Sequence, residues 1–226
     1  VVESASNRQY RFGMPGTELS PNEWKKCLDF LSDPNHHIDY LVASGSTPPG
    51  VPMDFYASIS KIAKDKGAKL VLDTSGEALK AALSAGNIYL AKPNLRELTE
   101  LVGKELKNIA EQEDAALKVI DKYKIEILVV SLGASGAFLA SKAGVYHVAA
   151  PSVAKKSTVG AGDSMVAGMV LSLSRGMSLP DTLKFGVAAG TAATMNAGTE
   201  LCRLEDVEAL YKWINANSQH QSRIQL

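Results

Sequence analysis

Short apolar runs alternate with stretches of helical spacing along almost the whole chain, and this alternation restricts the fold more than any other feature. Strands too apolar to alternate with polar residues are buried on both faces, and such strands belong to mostly parallel sheets connected by helices. Residues 38–44, 70–72, 88–90 and 127–130 predict four of them, and two more near 137–140 and 145–148 predict a hairpin. Phe55, Ile59, Ile62 and Ala63 have helical spacing, and Gly67 is a natural stop. Residues 78–83 and the set Ala116, Leu117 and Ile120 predict two further helices.

Beyond the hairpin the pattern is helical. Residues 162–174 are apolar on most faces and stop at Gly176. Ser178-Leu179-Pro180-Asp181 has the N-cap, early proline and acid of a helix start. The helix it opens carries Gly186, Ala189, Gly190 and Ala193, small residues that let another element approach closely. Leu204, Val207, Tyr211 and Ile214 mark a last amphipathic helix, and a polar tail follows Asn217. At the other end, residues 1–12 read as two short alternating strands around a polar Ser-Asn turn.

In open α/β sheets ligands bind beyond the carboxyl ends of the strands. Each predicted strand ends in polar or glycine-rich residues: Gly45-Ser46, Asp73-Thr74, Lys92-Pro93-Asn94 and Ser131-Leu132-Gly133. That rim is the expected site.

Three segments carry candidate chemistry. Gly160-Ala161-Gly162-Asp163 leads directly into an apolar helix. Small residues there expose backbone N–H groups at a helix N-terminus, which favours an anion. A carboxylate beside such a cradle suits phosphoryl transfer, taking the proton from an attacking hydroxyl. Asp163 also reads simply as a first-turn acid complementing the helix dipole. Asn94 and Glu97 have the spacing of a capping box, or of oxygen groups holding magnesium through water. Ser131, Gly133 and Gly136 follow a strand, where glycines permit either close approach to a ligand or a tight hairpin turn.

Composition and missing motifs exclude other classes. Lysine plus arginine and aspartate plus glutamate both number 24, so a phosphate-backbone partner lacks its basic excess. At 226 residues and 46% hydrophobic content the chain buries a real core. No apolar run approaches the ~18 residues of a membrane span. Two distant cysteines, Cys27 and Cys202, suggest no disulfide scaffold or CxxC metal site and fit a reducing, cytoplasmic setting. The P-loop, G-x-G-x-x-G and G-x-S-x-G patterns are absent, and the four histidines have no metal-site spacing. His36 and His37 read as a solvated loop, His147 as a surface-facing strand residue, and Trp24 and Trp213 as packing groups.

Together, the GAGD run at 160–163 and the N-x-x-E run at 94–97 resemble the PfkB, ribokinase-like carbohydrate kinases. Residues 44–50, 75–79, 157–165, 185–190 and 198–202 resemble the minor 6-phosphofructokinase branch of that family, as do residues 10–16. The resemblance implies a three-layer αβα sandwich around a mostly parallel sheet, with N-terminal strands and part of a lid missing. Residues 1–16 would be the remnant of a lid hairpin and its connection, and 17–226 the C-terminal portion of the α/β domain.

It also implies ATP-dependent phosphorylation of a sugar phosphate, fructose 6-phosphate first. Tagatose 6-phosphate, fructose 1-phosphate or a catalytically incomplete nucleotide-binding fragment remain alternatives. Asp163 would be the base, with Gly160, Ala161 and Gly162 as the anion hole. Asn94 and Glu97 would orient Mg-ATP, with Lys92 near the phosphates. Ser131, Gly133 and Gly136 would line the nucleotide pocket, and Ser46 would touch the sugar phosphate. Asp73 would tune the metal. A monovalent cation, potassium being the candidate, would sit on carbonyls near Ser157, Val159, Asn196 and Gly198. Relatives commonly pair through their lids, so a homodimer is the expected assembly.

Overall fold

Two-residue and five-residue connections cannot carry a strand back to start parallel to its predecessor, whereas helical crossovers can. That rule accounts for the sheet. In the computed structural model, which describes residues 2–3, 8–10, 13 and 16–217, the elements follow in the order β1 (Val2–Glu3), β2 (Arg8–Gln9), α1 (Pro21–Ser32), β3 (Tyr40–Ser44), α2 (Phe55–Lys66), β4 (Lys69–Asp73), α3 (Gly76–Ala85), β5 (Ile88–Ala91), α4 (Leu95–Val102), α5 (Ile109–Tyr123), β6 (Ile127–Ser131), β7 (Ala137–Ser141), β8 (Gly144–Val148), α6 (Ala161–Ser174), α7 (Leu179–Thr194) and α8 (Leu204–Asn217). The main sheet has the order β3-β4-β5-β6-β7-β8. Strands β3 to β6 pair in parallel through helical crossovers. The connections on either side of β7 are too short for such a crossover.

The described residues divide into two compact units. The first draws on Val1–Met14, Ser131–Leu139 and Tyr146–Leu226, the second on Pro15–Val130 and Ala140–Val145.

In the second unit, consecutive residues Leu70, Val71 and Leu72 point to opposite faces of β4, yet all are fully buried. Both faces are therefore covered, as the apolar runs predicted. The edge strand β3 is less covered, and Val42 is 44% exposed. Ser44 pairs with Asp73, and Leu72 with Ala91, which aligns the carboxyl ends of three strands. Helix α2 ends at Gly67 with φ 66°, the left-handed stop the sequence suggested. Helix α1 was anticipated only at Trp24, which sits in a helical pattern. It buries none of its residues and rests on a capping box, in which Glu23 Oε2 accepts from the Ser20 amide at 2.8 Å.

The first unit is built on helix-to-helix contact. A Cβ on Gly168 would stand 2.8 Å from Ala189 Cβ, and one on Gly186 would stand 2.5 Å from Met169 Cγ. The small residues of α7 thus receive α6, the close partner their pattern called for. Helix α8 packs on α7 through Phe185 and Tyr211, whose ring centroids lie 5.4 Å apart. Trp213, expected to pack, is 51% exposed, because its position on α8 falls on the outer face. Trp24 does pack, edge-on to Phe55. His147 is half-buried and stacks on Phe138 rather than facing solvent freely. His36 is likewise held, its Nδ1 2.9 Å from the Phe30 carbonyl.

At the amino end, Val2 pairs with Gln9 and Glu3 with Arg8 in an antiparallel ladder, as the hairpin expectation required. Its Ser-Asn turn and the tail after Asn217 lie outside the described residues.

The start of α7 offers a measurable test. Ser178 Oγ accepts from the Asp181 amide and donates to Asp181 Oδ2 at 2.7 Å. That hydrogen bond, then Lys184, holds the Asp181 carboxyl below 3.8. Ser178→Ala is expected to lower unfolding stability by about 1 kcal/mol at neutral pH, the usual worth of an N-cap. The carboxylate's share of that loss is complete above the unfolded value and disappears as pH falls through the lower native value. Urea unfolding of both proteins across the acid range checks this.

Candidate active site

The first unit holds a helix that starts on glycine. Gly160 is the N-cap residue of α6, at φ 78°. The early N–H groups of an α-helix have no partners within the helix. Asp163 lies in that turn and is exposed. A Cβ on Gly190 would meet the Ala161 carbonyl at 3.1 Å and Met165 Cβ at 3.3 Å. The absence of a side chain on Gly190 therefore lets α7 seat this terminus.

Beside it lies a cavity of about 490 Å³, lined by Ser131, Gly133, Gly136, Thr158, Ala161 and Gly162, with Pro151, Val153, Met165 and Val187 as apolar wall. Its size and mixed lining suit a small organic ligand. Two glycine segments far apart in sequence thus share one wall. Gly136 has φ 96°, and a Cβ there would collide with the Val148 carbonyl and approach the Ala150 amide within 2.7 Å. That glycine makes the turn, and it also borders the cavity.

Near the same helix start, Ser157 is 3% exposed. Its Oγ donates to the Gly198 carbonyl at 2.6 Å and accepts from the Val159 amide. Asn196 Nδ2 donates to the Leu201 carbonyl at 2.8 Å. The four residues expected at a monovalent cation are therefore tied into one pair of loops. Their oxygens are neutral, which fits a monovalent ion. Among the described residues no cluster of three His, Cys, Asp or Glu side chains suits a multivalent one.

The second unit holds the remaining candidates. Asn94 Oδ1 accepts from the Glu97 amide at 2.9 Å, and Glu97 Oε2 accepts from the Asn94 amide at 2.8 Å. The capping box is real, so these side chains build the start of α4. A carboxylate has about four acceptor sites, so the cap leaves Glu97 able to accept from a magnesium-bound water. Asp73 and Lys92 form an ion pair, with Nζ to Oδ1 3.0 Å and side chains 16% and 6% exposed. The strand register makes them lateral neighbours.

Ser46 is exposed in the turn after β3. The residue before it is held from several sides. Gly45 N donates to Asp73 O at 2.9 Å, while Thr74 Oγ1 and Tyr56 OH donate to Gly45 O at 2.7 and 2.9 Å. Tyr56 also reaches Ser44 O at 3.3 Å. Burial raises the Tyr56 phenol above its ordinary value, the Asp73 charge acting in the same direction and the Thr74 hydroxyl against it. The phenol is therefore a donor throughout the neutral range. Sequence reading missed Tyr56, because a tyrosine within an apolar helical stripe gives no sign of where its hydroxyl ends.

The model of the "pfkB family carbohydrate kinase" matches residues 2–206. The chain belongs to that family. Among characterised kinases it is 42% identical over 215 residues to the ATP-dependent 6-phosphofructokinase isozyme 2 of Escherichia coli, covering 95% of this chain and 69% of that one. The isozyme 2 enzyme of Mycobacterium tuberculosis is also 42% identical, over 94% of this chain and 62% of its own length. The crystal structure of the E. coli phosphofructokinase-2 in complex with potassium superposes with a TM-score of 0.88, over 93% of this chain and 68% of that one, at 42% identity. A second structure of that protein, its tetrameric inhibited form, gives 0.84 at 39% identity, over 93% and 67% of the two chains. The architecture is thus ribokinase-like. The chain spans roughly two thirds of these relatives. Among the described residues no helix is long and apolar enough to cross a membrane.

Two substitutions test this geometry. Gly136→Ala is expected to destabilise the PfkB fold by about 2–4 kcal/mol, through strained φ and overpacking, read by thermal or urea unfolding. Asp73→Asn leaves the Lys92 cation buried without its partner and is expected to cost about 3–5 kcal/mol. Adding Lys92→Met should recover most of that loss, since the uncompensated charge is then gone.

Proposed function

We propose that this chain carries the phosphoryl-transfer machinery of an ATP-dependent sugar-phosphate kinase, with fructose 6-phosphate as acceptor. The observation that carries the reading is the glycine-built start of α6 bordering the 490 Å³ cavity. Its N–H groups and dipole suit the charge of a phosphoryl group in transfer. The 42% identity to two isozyme 2 enzymes supports fructose 6-phosphate over the tagatose 6-phosphate and fructose 1-phosphate alternatives.

In this reading Asp163 takes the proton from the attacking sugar hydroxyl, as its oxygen bonds the phosphorus and ADP leaves. Gly160, Ala161 and Gly162 present amides to the transferred group. Ser131, Gly133 and Gly136 border the nucleotide. Lys92, Asn94 and Glu97 hold the Mg-ATP phosphates, Asp73 keeping Lys92 in place. Bound magnesium would supply charge neutralisation there, with Asn94 and Glu97 holding it through water and Asp73 tuning it from the neighbouring strand end. Ser46 contacts the acceptor's phosphate. Potassium, present in a complex of the E. coli relative, would take carbonyl oxygens of the Ser157–Val159 and Asn196–Gly198 loops. The hairpin of β1 and β2 belongs to a lid through which copies pair, so assembly is part of the proposal, read by light scattering.

The test is ADP release with fructose 6-phosphate, tagatose 6-phosphate or fructose 1-phosphate as acceptor. Asp163→Asn is expected to lower turnover by ~10²–10⁴-fold while nucleotide binding persists. Unchanged turnover removes Asp163 from the chemistry. Nucleotide binding without turnover of any acceptor favours a non-catalytic nucleotide-binding role.

A further inference from the structure

We infer that Tyr56 and Thr74 are positioning residues for the acceptor, acting on it only through the turn that carries Ser46. The inference rests on the proposed sugar-phosphate role of that turn. Gly45 is the last fixed point before Ser46. Its φ of 90° lies where only glycine sits without strain, so the peptide would otherwise have wide freedom. Three hydrogen bonds remove that freedom. The amide is taken by the Asp73 carbonyl, and the carbonyl accepts from two side-chain hydroxyls, one on α2 and one just past β4.

Both hydroxyl residues are buried, Tyr56 at 5% and Thr74 at 6% exposure, while Gly45 and Ser46 are exposed. Two buried donors thus converge on the carbonyl of an exposed glycine. A tyrosine and a threonine are chemically more than packing requires here, because phenylalanine and valine would fill the same volume. The hydroxyls add direction: they fix the plane of the 45–46 peptide and so the point from which the Ser46 side chain departs. A serine held this way meets an acceptor phosphate with little further ordering, which favours binding of that substrate and leaves the nucleotide untouched.

The experiment uses the whole chain with Tyr56→Phe, Thr74→Val, both together, and Thr74→Ser as the conservative control. Each hydroxyl removed is expected to raise KM for fructose 6-phosphate about fivefold, the equivalent of one neutral hydrogen bond, with KM for ATP unchanged. Thr74→Ser should restore the wild-type value. In a Ser46→Ala background, Tyr56→Phe should add little, since the tyrosine acts through that serine. Hydrogen exchange of the 44–50 peptide should quicken in the variants, with global unfolding midpoints nearly unchanged. Equal rises in both KM values, full additivity with Ser46→Ala, or unaltered exchange would overturn the inference. A wild type that phosphorylates no sugar phosphate would instead overturn the proposed function, and this inference with it.

Discussion

Parallel pairing of β3 to β6 is the constraint on which the second unit depends. It forces each connection into a helical crossover and brings every carboxyl end to the same edge of those four strands. The register then decides which residues become neighbours there. Ser44 lies across from Asp73, and Leu72 from Ala91. Hydrogen bonding does not stop where the strands do: Gly45 N reaches Asp73 O, and Lys92 N reaches Leu72 O, both at 2.9 Å. The turns therefore begin as extensions of the sheet. The core beneath is apolar, with Leu70, Val71, Leu72, Leu90, Ala91 and Leu128 to Val130 wholly buried. Against that apolar floor, an ion pair such as Asp73–Lys92 is held in one geometry, since leaving either charge alone is costly.

The first unit solves a different problem by close approach. A helix N-terminus receives an anion best when small residues let it approach and the position of the helix is fixed. Here α7 does the fixing. Gly186 and Gly190 bring its backbone against Met165, Met169 and the Ala161 carbonyl, which a larger residue at either place would push away. The loop 195–201 adds a second restraint through Ser157 and Asn196. Small residues on α7 thus serve the same end as the glycines of the 160–162 turn, one setting the helix in place and the other keeping its terminus open.

Much of this was legible in the sequence because period and burial agree. Strands β3 to β6 announced themselves as apolar runs, and the α7 small-residue stripe announced a close neighbour. The 160–163 and 94–97 segments announced themselves by spacing. Helix α1 showed only at Trp24 because it buries none of its residues, although the Ser20–Glu23 box and Pro21 mark its start. The Gly45 clamp escaped for a deeper reason. Tyr56 is 11 residues from Gly45, and Thr74 is 29, so their meeting is a property of the register between β3 and β4 and of how α2 lies over them. No local pattern encodes it.

The candidate residues also show why a structural role and a chemical one need not compete. Glu97 closes a capping box, Asp73 binds Lys92, Ser157 ties two loops, and Gly136 lets two backbones touch. Glu97 and Gly136 were open to a bland reading from sequence, and that reading is true of both. Yet groups that handle phosphates and ions work best when already ordered, because ordering done during folding is not repeated at each turnover. A carboxylate that caps a helix with one oxygen is already oriented with the other. A lysine paired with an aspartate keeps its place while buried. In such a site the fold's own hydrogen bonds are the means by which the chemistry is prepared, and a side chain with no local structural work would be the weaker candidate.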